Sequence, residues 1–257
     1  MALLVAQEQY PQLPVEMYLA RLDGLAEEVR GRLGQETAPL IVLEELTRTL
    51  YERHHFRGNT EAYYDPRNSF LNDVIDRRRG IPLTLGIVFL EVGWRLGLSL
   101  EGVAFPHHFL VRFRGTGMDL LLDPFHGGEA RFEDEAQELL DRVYGGMVRV
   151  QPSFLRTASR RDMLIRLLNN LKSIYLNTGD ELKALGVVER ILLLRPDAAP
   201  ERKTLGVLLA RMGRHEEALE ELRRYLASEP ETRERARIEG MVDNLEAGRR
   251  IDEEVEP

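Results

Sequence analysis

The chain has 257 residues, 43% of them hydrophobic and 30% charged, a balance that supports a packed globular fold and excludes a disordered or fibrous one. A formal net charge of −8 argues against a general nucleic-acid binder, because phosphate contacts need a concentrated positive surface. With no cysteine at all, disulfides, thiolate zinc sites and thiol catalysis are excluded.

No secretory signal is visible at the start: Met1-Ala2-Leu3-Leu4-Val5-Ala6 lacks a basic lead and runs into Gln7-Glu8-Gln9, so a cytoplasmic location is expected. Two helical patterns follow, over Val15 to Leu33 and Leu40 to His55, with apolar residues three and four apart. A third is expected to start at Asp65-Pro66, where aspartate can cap and proline suits the first helical position, and to stop at Gly80. The next helix, from Pro82, is apolar almost all round between Leu83 and Leu96, which places it at the centre of a domain. Glu91 and Arg95 break that run at ion-pair spacing, so a buried helix is expected and no membrane contact. After Gly97 the period changes to two, giving candidate strands Glu101 to Phe105, His108 to Arg114 and Met118 to Asp123, then a short helix from about Glu133 to Val143. The clusters Arg77-Arg78-Arg79 and Arg160-Arg161 lie beside acids or at helix ends and read as solvated or capping arginines.

The second half repeats itself. Gly179 and Gly213, Ala184 and Ala218, Leu171 and Leu205, and Pro196 and Pro230 are all 34 apart, the period of the tetratricopeptide repeat. Arg202 departs from the pattern by standing where a large apolar residue is usual. A charged helix from about Glu231 to Arg249 would cap the stack. The expected division is therefore 1–155, 156–249 and an acidic tail, 250–257.

His108 and Asp123 are the chemically suggestive pair. If Arg114-Gly115-Thr116-Gly117 forms a two-residue hairpin turn, facing residue numbers sum to 231 and His108 lies opposite Asp123; a three-residue loop gives 232 and sends the two side chains to opposite faces. The Arg112/Asp119 charge match favours the first register. Such a pair can orient a general base or simply stabilise the sheet. His108, Asp123 and His126 together are also conceivable metal ligands. Thr84, near the start of the buried helix, is the available hydroxyl nucleophile, although a threonine hydroxyl needs a strong base beside it.

The segments Tyr64-Asp65-Pro66-Arg67-Asn68-Ser69-Phe70-Leu71-Asn72, Arg78-Arg79-Gly80-Ile81-Pro82-Leu83-Thr84, Gly102-Val103-Ala104-Phe105-Pro106, His108-Phe109-Leu110-Val111 and Leu122-Asp123-Pro124-Phe125-His126-Gly127-Gly128 together resemble the bacterial SirB-like family. The resemblance runs from about Pro14 to Pro230 and implies an α+β fold: a transglutaminase-like, papain-like core of helices and antiparallel sheet, followed by an all-α tetratricopeptide-repeat domain. It sets Gly80-Ile81-Pro82 where active relatives carry Gly-x-Cys, so proline stands at the nucleophile's place. His107 departs locally from the small residue usual there.

On this reading the chain is a catalytically silent transglutaminase-like protein that acts as a binding or regulatory module for a protein or peptide, with no cofactor and no nucleic-acid partner. The expected cleft residues are Asn68, Arg79, Pro82, His107, His108 and Asp123, with Arg79 as an anion partner. The alternative is a hydrolase or acyl-transfer enzyme in which His108, held by Asp123, activates Thr84 or water.

Overall fold

The computed structural model describes residues 1–115, 117, 119–131, 135–228 and 231–249. Thr116 and Met118 of the expected turn and strand, Glu133 at an expected helix start, Pro230 of the repeat and the acidic tail lie outside the described residues. The chain forms two compact units, Met1–Leu167 and Leu168–Pro257. No helix among the described residues is long and apolar enough to cross a membrane.

In the first unit, α1 (Ala2–Ala6), α2 (Val15–Leu33) and α3 (Pro39–Thr47) come first. The pattern expected to run as one helix to His55 instead changes pitch after Thr47, and Arg48–Arg53 forms a π-helical turn closed by the His54 N–H on the Thr49 carbonyl at 3.0 Å. The chain then extends as β1 (Arg57–Gly58).

Asp65 does cap, accepting from the Arg67 N–H at 2.9 Å, but it starts only the 3₁₀ turn Pro66–Asn68. Phe70 is extended, and the helix proper is α4 (Leu71–Arg77). Its stop is Arg78, held left-handed at φ 57°, rather than Gly80. Gly80 is already committed to β2 (Arg79–Gly80), which pairs in parallel with β1, and its carbonyl accepts the Asn59 N–H at 3.0 Å.

Helix α5 (Pro82–Arg95) occupies the centre, as its all-round apolar surface requires; Leu83, Leu85, Val88, Phe89, Leu90 and Val92 are all buried. Proline takes the first turn, and Thr84 reaches back to accept the Ile81 N–H at 3.1 Å, one half of a capping box. Gly86 lets the Phe109 ring press against the helix, where a Cβ would collide with it.

Strands β3 (Leu100–Val103), β4 (Leu110–Arg114), β5 (Asp119–Asp123) and β6 (Glu129–Arg131) follow one another as an antiparallel meander. The last was not foreseen. Facing residues of β4 and β5 sum to 233, as in Arg112 with Leu121 and Arg114 with Asp119, so both expected hairpin registers are corrected. Arg114, not Arg112, makes the cross-strand ion pair with Asp119. Arg112 is buried and donates to the Leu155 carbonyl at 2.8 Å. Because 231 and 233 differ by two residues, the side chains keep the face expected of them. Helix α6 (Ala136–Tyr144) closes one face of the sheet through Ala136, Leu139 and Leu140 against Val103, Leu110 and Leu121. Leu100 and Phe113 lie on the opposite face, where α5 packs.

Helix α7 (Arg160–Thr178) crosses the unit boundary, and the second unit continues with α8 (Glu181–Leu194), α9 (Ala199–Arg211), α10 (His215–Leu226) and α11 (Thr232–Glu246). Gly179 and Gly213 take φ 72° and 76° in equivalent inter-helix turns, which explains their repetition in sequence. Leu171, Tyr175, Ala184, Val188, Leu205, Ala218, Leu222 and Tyr225 form the repeat core. Arg202 replaces apolar packing by polar bonds, donating to Glu221 at 2.8 Å and to the Pro196 carbonyl at 2.6 Å.

Gly86→Ala should destabilise the first unit by about 1–3 kcal/mol through overpacking. In urea titrations, Phe109→Leu placed in the same chain should restore part of that loss, because it removes the ring that the new methyl meets.

Candidate functional site

Strand β5 ends on Asp123, whose carboxylate is fully buried and caps the 3₁₀ turn Pro124–His126, accepting the Phe125 and His126 backbone N–H groups at 3.1 and 3.3 Å. His108 approaches from the turn that precedes β4, and its Nε2 lies 2.8 Å from Asp123 Oδ1. His126 supplies a second imidazole, with Nδ1 2.8 Å from Oδ2. One carboxylate thus holds two rings, 5.7 Å apart and nearly parallel.

Burial pushes the Asp123 carboxyl up, but hydrogen bonds and charge from His108 and His126 outweigh it and hold the group at about 2. When neutral, each ring presents its N–H to Asp123, a tautomer assigned from the bonding pattern. His108 Nδ1 is then a lone-pair acceptor with no partner among the described residues. The three residues bring possible metal-binding atoms within 4.8 Å of one another. The close N···O pairs are equally accounted for as hydrogen bonds, since both carboxylate oxygens are occupied by ring and backbone donors.

An aromatic collar surrounds this centre. Phe125 lies edge-on to His108 at 6.0 Å, to His126 at 5.1 Å and to Tyr63 at 6.2 Å, and Tyr63 meets Tyr64 at 5.3 Å. Tyr64 is 75% exposed, so the collar reaches solvent. Tyr51 stacks on Phe89, and burial together with the Asp123 charge raises its phenol well above the ordinary value. Arg166 donates to the Phe105 carbonyl at 3.0 Å, the same oxygen that accepts the His108 N–H. Burial lowers the Arg166 pKa and the nearby Tyr63 opposes that, but no carboxylate pairs with it among the described residues.

The other expected residues fall elsewhere. Thr84 is buried and donates to the Asn68 carbonyl at 2.7 Å, so its hydroxyl proton is already committed. Asn68 is fully buried; its amide accepts from Asn59 at 2.9 Å and donates to the carbonyls of Ala62 and Tyr63 at 2.7 and 3.1 Å. Arg79 pairs with Glu61 at 3.2 Å, and Pro82 is buried at the start of α5. His107, expected in the cleft, sits exposed in the turn that precedes β4 at φ 54°, edge-on to Tyr144 at 5.4 Å. His108 and Asp123 therefore meet, with His126, whereas Asn68 and Thr84 form a separate buried knot. Tyr51 and Arg166 were missed because they come from elements remote in sequence, and neither carries a local motif.

Residues 16–169 match the profile of the transglutaminase-like superfamily. The chain belongs to that superfamily. Residues 171–243 of this transglutaminase-like protein match the tetratricopeptide repeat. It is 34% identical to a UPF0162 protein of Xylella fastidiosa over 95% of its own length and 88% of the relative's. A UPF0162 protein of Vibrio cholerae is 29% identical over 84% of this chain and 80% of its own length. These bacterial relatives agree with the SirB-like resemblance. Mouse F-box only protein 21 is 30% identical over 52% of this chain, but the match spans 22% of that larger protein. No solved structure matches.

The Asp123 shift carries a defined pH dependence. A carboxyl at about 2 in the folded protein against 3.8 without the shift stabilises the fold fully above pH 4, and this is lost as pH falls through 2. The contribution is on the order of 2 kcal/mol. Urea midpoints measured from pH 5 downwards should show wild type more stable than Asp123→Asn at pH 5, with the difference shrinking between about pH 4 and 2.

Proposed function

We propose that this transglutaminase-like protein is a catalytically silent binding module that takes a protein or peptide segment at the aromatic collar around His108. The observation that carries the reading is the state of the α5 amino end: Pro82 offers no nucleophilic atom there, and the adjacent Thr84 hydroxyl is spent on the Asn68 carbonyl. His108 and Asp123 keep the geometry of a base and its orienting carboxylate, which gives a ligand a fixed acceptor at Nδ1. Tyr63 and Tyr64 supply exposed aromatic surface of the kind that anchors peptides. Arg166, with no acidic partner among the described residues, is better suited than the Glu61-paired Arg79 to meet a ligand's anionic group.

Under this proposal residues 1–155 form the binding core and the helices from 156 to 249 are tetratricopeptide repeats that either brace that core or add a second surface for a protein partner. A cytoplasmic location and independence of nucleic acid and membranes belong to the same proposal. A second reading, water activation by His108 in a hydrolase or acyl-transfer reaction, draws on the unpartnered Nδ1 alone.

Peptides selected from a displayed library on the full chain should bind and be recovered chemically unchanged. Tyr64→Ala should weaken the best of them by roughly tenfold or more. If instead the protein hydrolysed or cross-linked those peptides and His108→Ala abolished the reaction without unfolding the chain, the binding-module reading would give way to the hydrolytic one.

A further inference from the structure

Arg166 lies near the start of α7, and the edge of the sheet sets its position. The Ala158 N–H bonds to the Gly102 carbonyl at 2.7 Å, Thr157 bridges to Val103, and a Cβ at Gly102 would lie 3.1 Å from Met163 Sδ. Glycine in β3 thereby lets α7 close against the strand. Arg166, a turn beyond Met163, reaches the turn before β4 and donates through Nη1 to the Phe105 carbonyl at 3.0 Å. That carbonyl also takes the His108 N–H at 3.0 Å, so the guanidinium and the backbone of His108 are tied to one oxygen.

The surroundings of Arg166 differ from those of comparable arginines. In the first unit the half-buried Arg21, Arg53, Arg77, Arg79, Arg95 and Arg131 each have a carboxylate beside them. Arg166 is half-buried too, and among the described residues it has none. Withdrawal from water without a counter-charge lowers its pKa. A guanidinium carries five N–H donors, and the Phe105 carbonyl occupies one nitrogen. Unlike Arg77 Nη1 and Arg131 Nε, no Arg166 nitrogen is both sealed from solvent and unpaired, so its unused donors are open to a ligand.

The collar stands beside this cation. Burial raises the Tyr63 phenol and Arg166 opposes that, while Tyr63 packs on Phe125 and Phe125 on His108. Charge then decides which anion fits. Asp123 is already ionised in the same centre, and Arg166 adds one positive charge. A singly charged group is balanced by it, whereas a phosphate dianion would bring surplus negative charge. The planar fork also matches the two oxygens of a carboxylate.

We propose that Arg166 sets the specificity of the collar by taking a carboxylate of the bound peptide, at its C-terminus or on an acidic side chain. This rests on the collar being a peptide site and states which peptides it selects. The chain's net charge of −8 works the other way, so a preference for carboxylate cannot come from bulk electrostatics.

Three synthetic libraries of short random peptides test this by affinity capture on the full chain and mass spectrometry. The first is amidated and lacks Asp and Glu, the second differs from it only in a free terminal carboxylate, and the third is amidated and includes Asp and Glu. The second or third should be retained roughly tenfold or more over the first, and the one retained more strongly identifies which carboxylate is read. Arg166→Met should abolish that preference while leaving stability towards urea unchanged or raised, because it removes a charge that has no counter-charge. Arg166→Lys should keep part of it, since the charge survives and the fork does not. Equal retention of all three libraries overturns the carboxylate assignment, and its loss in Tyr64→Ala would show that the collar still binds peptides. Retention of none overturns both readings. A preference that persists undiminished in Arg166→Met overturns the role of this residue.

Discussion

Asp123 keeps a negative charge where no part of its side chain touches solvent, and it does so with four donors: two imidazole nitrogens and two backbone N–H groups. A carboxylate withdrawn from water costs several kcal/mol unless its lone pairs are met, so these donors are conditions of folding as well as features of a site. They come from two stretches of chain. The turn before β4 must deliver His108, and the 3₁₀ turn after β5 must fold back to deliver His126. The end of the sheet is thereby fixed by electrostatics, where its middle is fixed by burial of Leu110, Leu121 and Phe113.

A second polar knot fixes the other side of the central helix. Thr84 ties the first turn of α5 to Asn68, and Asn68 is tied in turn to Asn59 and to the backbone at residues 62 and 63. Each donor and acceptor there finds a protein partner. The amino end of α5, where a thiol enzyme would hold its nucleophile and stabilise an oxyanion, is here closed with internal bonds. The superfamily's architecture is kept here by bonds that occupy the polar groups of Thr84 and Asn68.

Much of this was legible in the sequence because local chemistry and the final fold agree. The apolar circumference from Leu83 to Leu96 announced a central helix, and Gly179 and Gly213 announced equivalent turns of a repeat. The β4–β5 register was not legible, because Arg112/Asp119 and Arg114/Asp119 are both plausible charge pairs and only burial of Arg112 against the Leu155 carbonyl separates them. His108 still met Asp123, since the error was two residues and side-chain parity has period two. The Asp65-Pro66 signal was sound as a cap but silent on how far its helix would run, because the chain is diverted at Phe70 and the stop falls on a left-handed arginine. Contributions to the site from Tyr51 and Arg166 depend on tertiary packing and leave no trace in local pattern.

The double duty of the Asp123 carboxylate has a mechanical consequence. The oxygen that holds His108 also anchors the backbone of Phe125, and the Phe125 ring fills the space that a side chain at Gly58 would need. Gly58 is half of the short parallel pairing with Gly80, which leads directly into Pro82 and α5. The imidazole and the start of the central helix are therefore linked by one continuous chain of bonds and packed contacts. The collar and the start of α5 thus share one joint, the Phe125 ring seated on Gly58 beside the Gly58–Gly80 pairing.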